Sequence, residues 1–425
     1  MFTLKEFKKK NKVLIQNFSS LTILQVSQYV FPLITFPYLV RVLSPEGYGL
    51  VAFANAFVNY FTVLTDYGFN LSATKDISIN RENNVKIKQI FSSVLTVRLI
   101  LFVLSIVIVI PIVFTFSKFH KDLEIYLISF MAVLGTTIFP VWFFQGVEKM
   151  KFITIISVLV KILWVVSVFL FVTHKNDLVN LVILNSASSI LIGIISLAVI
   201  KIKFNVSFSF PDSECIKKQF IEGWHYFLST ASISLYTTST TFILGLFASD
   251  ATVGYFSAAD KIRYAVQNIM GTASRTVFPH IAMEFKKSYE SGISFIRKFS
   301  ISLGGFMLVV SILLFIFAKQ IVLIVLGPEY AESIILLRII SFLPLVIFLS
   351  NVAGIQTMLN LGYKKEFAKI IFISAIFSIM MSIILVPVFL AIGTAITVLL
   401  TEILVTSQMI LFLRKKKIKV LTISG

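Results

Sequence analysis

Charged and amide side chains recur at helical spacing inside an otherwise apolar segment near residue 265. Asp260 and Lys261, Gln267 and Asn268, and Ser274 and Arg275 form pairs seven residues apart, with Arg263 and Tyr264 close to the same stripe. Seven residues are nearly two helical turns, so these groups share one face. That face must look at protein or at a wet cavity, because a lysine or arginine at the centre of a bilayer costs ~2.5–3.5 kcal/mol even on the gentler insertion scale. Asp260 and Arg263, three apart, suit an ion pair, which leaves Lys261 unaccounted for.

Other apolar segments carry similar stripes. Asn55, Asn59, Thr62 and Asp66 are spaced four, three and four apart, and Gln25, Gln28, Pro32 and Thr35 three, four and three. Pro32 and Pro37 lack amide donors and predict a kink with free carbonyls. The hydroxyl run Thr237 to Thr241 suits either a sugar or the preceding turn of backbone. For all these neutral groups, helix packing explains the pattern as well as ligand contact does. Arg98 and Lys161 add positive charge; snorkelling accounts for Arg98 easily and for Lys161 less easily. Glu402, near mid-depth in the last apolar segment, suits proton coupling or pairing with a cation.

The elements that hold these residues follow from hydropathy. The chain is 57% hydrophobic and 14% charged over 425 residues, too apolar for a soluble domain. Twelve long apolar stretches are separated by short links. Of 38 lysines and arginines, 27 lie in every second link, beginning with the N-terminal lysines, and only 5 in the others. The positive-inside rule then puts both termini in the cytoplasm. The remaining 6, Arg98, Lys161, Lys261, Arg263, Arg275 and Arg338, fall inside apolar segments. The net charge of +18 is accordingly an orientation signal and an attraction to anionic lipid, with no nucleic-acid partner implied. Cys215 is the only cysteine, which excludes an intrachain disulfide and a cysteine-based metal site. No metal site, cofactor or catalytic residue is expected. The chain has no Gly-Lys pair, hence no Walker-type phosphate loop.

A weak repeat, EGYGLVAFANAFVNY at 46–60 against ATVGYFSAADKIRYA at 251–265, superposes Gly49 on Gly254 and Asn55 on Asp260. EKMKF at 148–152 echoes YKKEF at 363–367. Equivalent links face the same side, so the repeat is parallel. The expected architecture is therefore an all-α polytopic membrane protein with twelve transmembrane helices in two six-helix lobes. The N-terminal lobe spans 1–205, a cytoplasmic linker 206–221 and the C-terminal lobe 222–425, with a central site between the lobes. A cavity with surplus positive charge suits an anion such as phosphate or pyrophosphate.

Four stretches carry a family resemblance: FPLITFPYLVRVLSPEGYG (31–49), DYGFNLSATKDIS (66–78), PVWFFQGVEKMKF (140–152) and TEILVTSQM (401–409). Together they resemble the O-antigen repeat-unit flippases, the Wzx-type branch of the superfamily that also holds the multidrug MATE exporters and the lipid II flippase. The likeness covers nearly the whole chain. It implies alternating access and transfer of undecaprenyl-pyrophosphate-linked oligosaccharide from the cytoplasmic to the periplasmic leaflet of a bacterial inner membrane. It also implies association with a polymerase and a chain-length regulator, and coupling to H+ or Na+ or to the membrane potential. On this reading Arg98, Lys161, Lys261, Arg263 and Arg275 are the cationic substrate contacts. Gln25, Gln28, Asn55, Asn59, Asp260, Gln267 and Asn268 line the cavity, and Asp66 and Glu402 are candidates for coupling. Lys75 stands where an arginine is frequent in the family, so a bidentate phosphate role there is not expected. Two other readings are open: a MATE-type drug or cation antiporter, which wants an acidic cavity, and a membrane-embedded polymerase or glycosyltransferase, which wants a large outer loop bearing carboxylates or arginines.

Overall fold

The computed structural model describes residues 12–418, apart from the side chains of a few residues within that span. In chain order the helices are α1 (Lys12–Asp66), α2 (Phe69–Ile79), α3 (Asn84–Thr115), α4 (Ser117–His120), α5 (Leu123–Ile138), α6 (Val141–Gly146), α7 (Lys151–Phe171) and α8 (Leu178–Phe204). They continue with α9 (Ser213–Phe247), α10 (Asp250–Lys287), α11 (Tyr289–Ile316), α12 (Ala318–Val325), α13 (Ser333–Ile340), α14 (Leu343–Asn351) and α15 (Lys364–Lys415). A π-helix, Val352–Leu359, extends α14. No strand occurs among the described residues.

Eight helical stretches among the described residues are long and apolar enough to cross a membrane. Two of them, Ser19–Ile79 and Lys364–Lys415, run to 61 and 52 residues, far beyond the ~20 that one crossing needs. Both contain a break. The first is at Ser44 (φ 60°, ψ 170°), immediately before Pro45, whose ring excludes helical backbone at the preceding residue. The break therefore falls beyond Pro32 and Pro37, where the sequence predicts a kink. The second is at Leu390 (φ 47°, ψ −124°), between Pro387 and Gly393, two residue types that weaken a helix. The uncharged apolar run over 125–147 is divided as well. α5 stops at Ile138, Phe139 is extended (φ −86°, ψ 104°), and α6 resumes after Pro140, because proline supplies no amide to continue the ladder. α9 starts at Ser213, inside the segment read from sequence as a linker.

Local chemistry starts these helices. Asn83, Ser249 and Ser288 accept hydrogen bonds from the amides of Lys86, Thr252 and Ser291, capping α3, α10 and α11.

Two compact units emerge. The first takes its described residues from Met1–Leu43 and Ala54–Ser234. α5 and α8 pack closely there: a Cβ on Gly135 would enter the backbone at Ser189 and Ile190, and one on Gly193 would strike Ile138. An aromatic cluster around Phe69, Phe91, Trp142, Phe143 and Phe144, all nearly or fully buried, joins α2, α3 and α6. The second unit takes Ser44–Phe53 and the described residues of Leu235–Gly425. Gly49 and Gly254, aligned by the sequence repeat, meet within it; a Cβ on Gly254 would collide with the Pro45 carbonyl and one on Gly49 with that of Asp250. Its core is rich in methionine, with Met270, Met307, Met358 and Met409 around Phe348.

Candidate functional site

Each unit holds its own polar cluster. In the first unit α1 ends at Asp66, and the chain turns through Tyr67 and Gly68, both at positive φ (46° and 76°), into α2. Only glycine adopts that conformation without penalty, so the turn concentrates its strain at Tyr67. The turn brings Asn70 back over Asp66, whose Oδ1 accepts its amide at 2.8 Å. Arg98, on α3, points into the same place. Its Nη2 lies 3.5 Å from Asp66 Oδ1 and donates to the Thr136 carbonyl at 2.8 Å, while Nη1 donates to the Phe139 carbonyl at 3.2 Å. Pro140 brings those carbonyls no amide of its own, so where α5 ends each has one short-range backbone donor, Phe139 N–H for Thr136 and Val141 N–H for Phe139, and the buried guanidinium adds a second. Arg98 is 3% exposed, so of the two readings the sequence allows for it, snorkelling to the membrane surface does not describe it. The carboxylate, not the interface, compensates its charge. Thr62, Asp66, Asn70, Arg98, Thr136 and Thr230 contribute to the wall of a cavity of about 300 Å³, closed on other sides by Val63, Phe139 and Val141.

In the second unit the stripe on α10 is an ion-paired ladder. Arg263, 7% exposed, donates through Nε to Asp260 Oδ1 at 2.7 Å and through Nη1 to Gln267 Oε1, with its guanidinium 5.7 Å from the Tyr264 ring. Glu402 on α15 lies close enough to act electrostatically on Arg263. Lys261, from the same turn, is exposed. Further along α10 the Ser274 carbonyl accepts from Gln356 Nε2 at 3.1 Å, a fully buried amide on the π-helix.

The structure thus gathers some predicted residues and separates others. Asp66 and Arg98 come together in the first unit, and Asp260, Arg263, Gln267 and Glu402 in the second. Lys161 lies apart from the Arg98 cavity. Its ammonium sits 3.7 Å from the Trp164 ring, a cation–π contact, and Trp164 in turn donates to Asn185 at 2.9 Å. Gln25 donates to the Tyr29 hydroxyl at 2.8 Å along its own helix, and Gln28 is exposed. Asn59 donates to Ser234 at 3.1 Å, Asn55 is exposed and Asn268 is half-buried. Arg338 is exposed on α13. The Arg275 side chain lies outside the described residues.

Sequence reasoning missed Asn70 and the carbonyls of Thr136 and Phe139. Asn70 had a signal, its i,i+4 spacing from Asp66, but a Tyr-Gly pair between them hides the helical relation. Among the described residues no group of three or more His, Cys, Asp or Glu side chains is placed to hold a metal ion.

Comparison with known proteins locates this architecture. Residues 14–285 match the family described as polysaccharide biosynthesis protein. A protein of Escherichia coli (strain K12) named "Putative O-antigen transporter" is 36% identical over 95% of this chain and 98% of its own. Among solved structures, the inward-facing conformation of a multidrug resistance MATE family transporter of the MOP superfamily superposes with a TM-score of 0.69 at 14% identity. That match covers 94% of this chain and 98% of the other. The lipid II flippase MurJ, in an inward closed conformation, also gives 0.69, at 13% identity over 94% of this chain and 87% of its own. At such identities the two structures speak for the fold.

Proposed function

The chain belongs to the polysaccharide biosynthesis protein family, and on that premise we propose that it is a flippase for lipid-linked oligosaccharide, carrying undecaprenyl-pyrophosphate-linked O-antigen repeat units from the cytoplasmic to the periplasmic leaflet. The observation that carries this reading is the end-to-end similarity to a protein named as an O-antigen transporter. The fold of MATE and lipid II flippase structures supplies a scaffold suited to alternating access.

On this reading the chain crosses the membrane twelve times with both termini inside. The repeat-related halves, 1–205 and 222–425 with the linker 206–221, are its two lobes. Lys261 and Arg263 meet the pyrophosphate, with Arg275 further along α10. A fixed cation with part of its hydrogen-bonding capacity already organised replaces hydration that a phosphate would lose in hydrocarbon. The cell interior is negative, so outward movement of each negative charge is favoured by ~2.3 kcal/mol per 100 mV. Glu402, within the electrostatic reach of Arg263, is the carboxylate we assign to ion coupling. Protonation or cation binding there changes how strongly Arg263 is held and hence how strongly it holds an anion.

The test is genetic and chemical. Deleting the gene removes surface polysaccharide and accumulates lipid-linked units on the cytoplasmic side. Loss of a polymerase instead leaves single units displayed outside. Display of single units in the deletion strain overturns the proposal.

A further inference from the structure

The cavity around Asp66 differs in chemistry from the cationic stripe on α10. Arg98, the cation among the described residues that line it, lies against Asp66 and donates from both terminal nitrogens to backbone carbonyls, while its Nε–H is buried without a partner. Each of the three threonines lining it gives its hydroxyl proton to its own helix: Thr62 to the Val58 carbonyl at 3.3 Å, Thr136 to Val133 at 2.9 Å and Thr230 to Tyr226 at 2.9 Å. What these hydroxyls have left for a ligand is lone pairs. Both bonds to Asp66 go to Oδ1, so Oδ2 adds another acceptor. The lining therefore presents mainly acceptors around an ion pair whose charges offset each other. A pyrophosphate, which is anionic and can only accept, finds few donors on such a wall.

We propose that this cavity is a saccharide subsite, which takes hydroxyl or amide N–H donors of one sugar ring from the repeat unit, and that Arg98 is a positioning residue for it. The proposal rests on the flippase reading and assigns its two chemistries to different places: sugar at Asp66, Asn70 and Thr62, pyrophosphate at α10. Three further observations agree. The volume, about 300 Å³, lies at the lower end of the ~300–1,000 Å³ range of small-molecule pockets and far exceeds what one ion needs. Val63, Phe139 and Val141 offer an apolar wall to the C–H face of a ring. By the alternation of basic links, Asp66, Arg98 and Thr230 all lie toward the cytoplasmic ends of their spans, the side on which an unflipped unit presents its sugars.

The experiment uses the purified full chain in nanodiscs. Two probes are compared: the lipid-linked repeat units that accumulate in the deletion strain, and bare undecaprenyl pyrophosphate. Wild type is expected to bind the repeat unit about tenfold or more tighter. In Thr62→Val and, independently, Asn70→Ala that ratio falls toward one. Lys261→Gln weakens both probes and leaves the ratio at its wild-type value. A ratio preserved in both pocket variants overturns the saccharide subsite, including the case in which they instead alter the response of transport to a Na+ or proton gradient, which would make the cavity a cation site. Wild type that binds neither probe overturns the flippase reading itself.

Discussion

Arg98 and Arg263 are both buried arginines beside a carboxylate, yet their surroundings give them different work. Arg98 ties the end of α1 to the end of α5, and no bond it makes is to spare. Arg98→Ala leaves the buried Asp66 carboxylate without its cation and takes the side-chain donor from two carbonyls, so the folded protein should lose roughly 3–5 kcal/mol, read as a fall in thermal midpoint in detergent. Arg98→Lys should recover only part of it, because one ammonium cannot span three acceptors in that geometry. A variant that keeps its midpoint and loses only transport would instead make Arg98 a substrate contact. Arg263 is bound within its own helix and faces Glu402, and Lys261 beside it is exposed. Lys261→Gln or Arg263→Gln should lower surface polysaccharide about tenfold or more at equal expression. The ion pair on α10 was legible because i,i+3 spacing is a local signal. The Asp66–Arg98 pair was not: its partners lie on helices that no periodicity relates, and only the fold brings them together.

Helices were legible wherever hydrophobic runs were unbroken, and their ends were not. Pro140 was visible in the sequence, but whether a proline kinks, caps or breaks a helix depends on what satisfies the freed carbonyls. Here a distant arginine does so, and the helix ends outright. Close helix crossings depend on small residues in the same hidden way. Gly135→Leu should impair folding, because its Cβ meets the backbone of α8, with a cost of about 1–3 kcal/mol or more. Gly305→Leu, where a Cβ meets nothing within 4 Å, is the matching control and should fold. Equal yields of the two in membranes would contradict the packing described.

The last turn of α10 gives a pH prediction. Glu284 lies there near Lys286 and Lys287 and accepts from Lys287 Nζ at 2.6 Å and from Ser291 Oγ. The hydrogen bond from Lys287, then that from Ser291, hold its carboxyl below the usual glutamate range. A lowered folded-state value favours the ionised folded form, so this contribution is fully present above the ordinary glutamate value and disappears as pH falls through the lowered one. The thermal midpoint should drop on going from neutral pH to about pH 3.5, and Glu284→Gln should shrink that drop. An unchanged drop in the variant would assign the acid sensitivity to other groups.

At the scale of the whole molecule, the sequence carried the class of protein further than it carried the site. Composition and alternating basic links are sums over many residues and tolerate local error. A binding site depends on a few side chains whose neighbours are set by folding, and composition does not show that the Lys161 ammonium lies over the Trp164 ring. The central claim is that the protein moves lipid-linked repeat units outward across the membrane. The most direct measurement reconstitutes the purified chain in vesicles loaded with repeat units extracted from the deletion strain and follows, with a sugar-oxidising or sugar-binding reagent outside, the fraction of units that becomes accessible over time. Accessibility is expected to rise beyond the half initially exposed, faster with an inside-negative potential, and to be slowed by Lys261→Gln. A fraction that stays at its starting value with active-folded protein present, under any imposed gradient, would contradict the account.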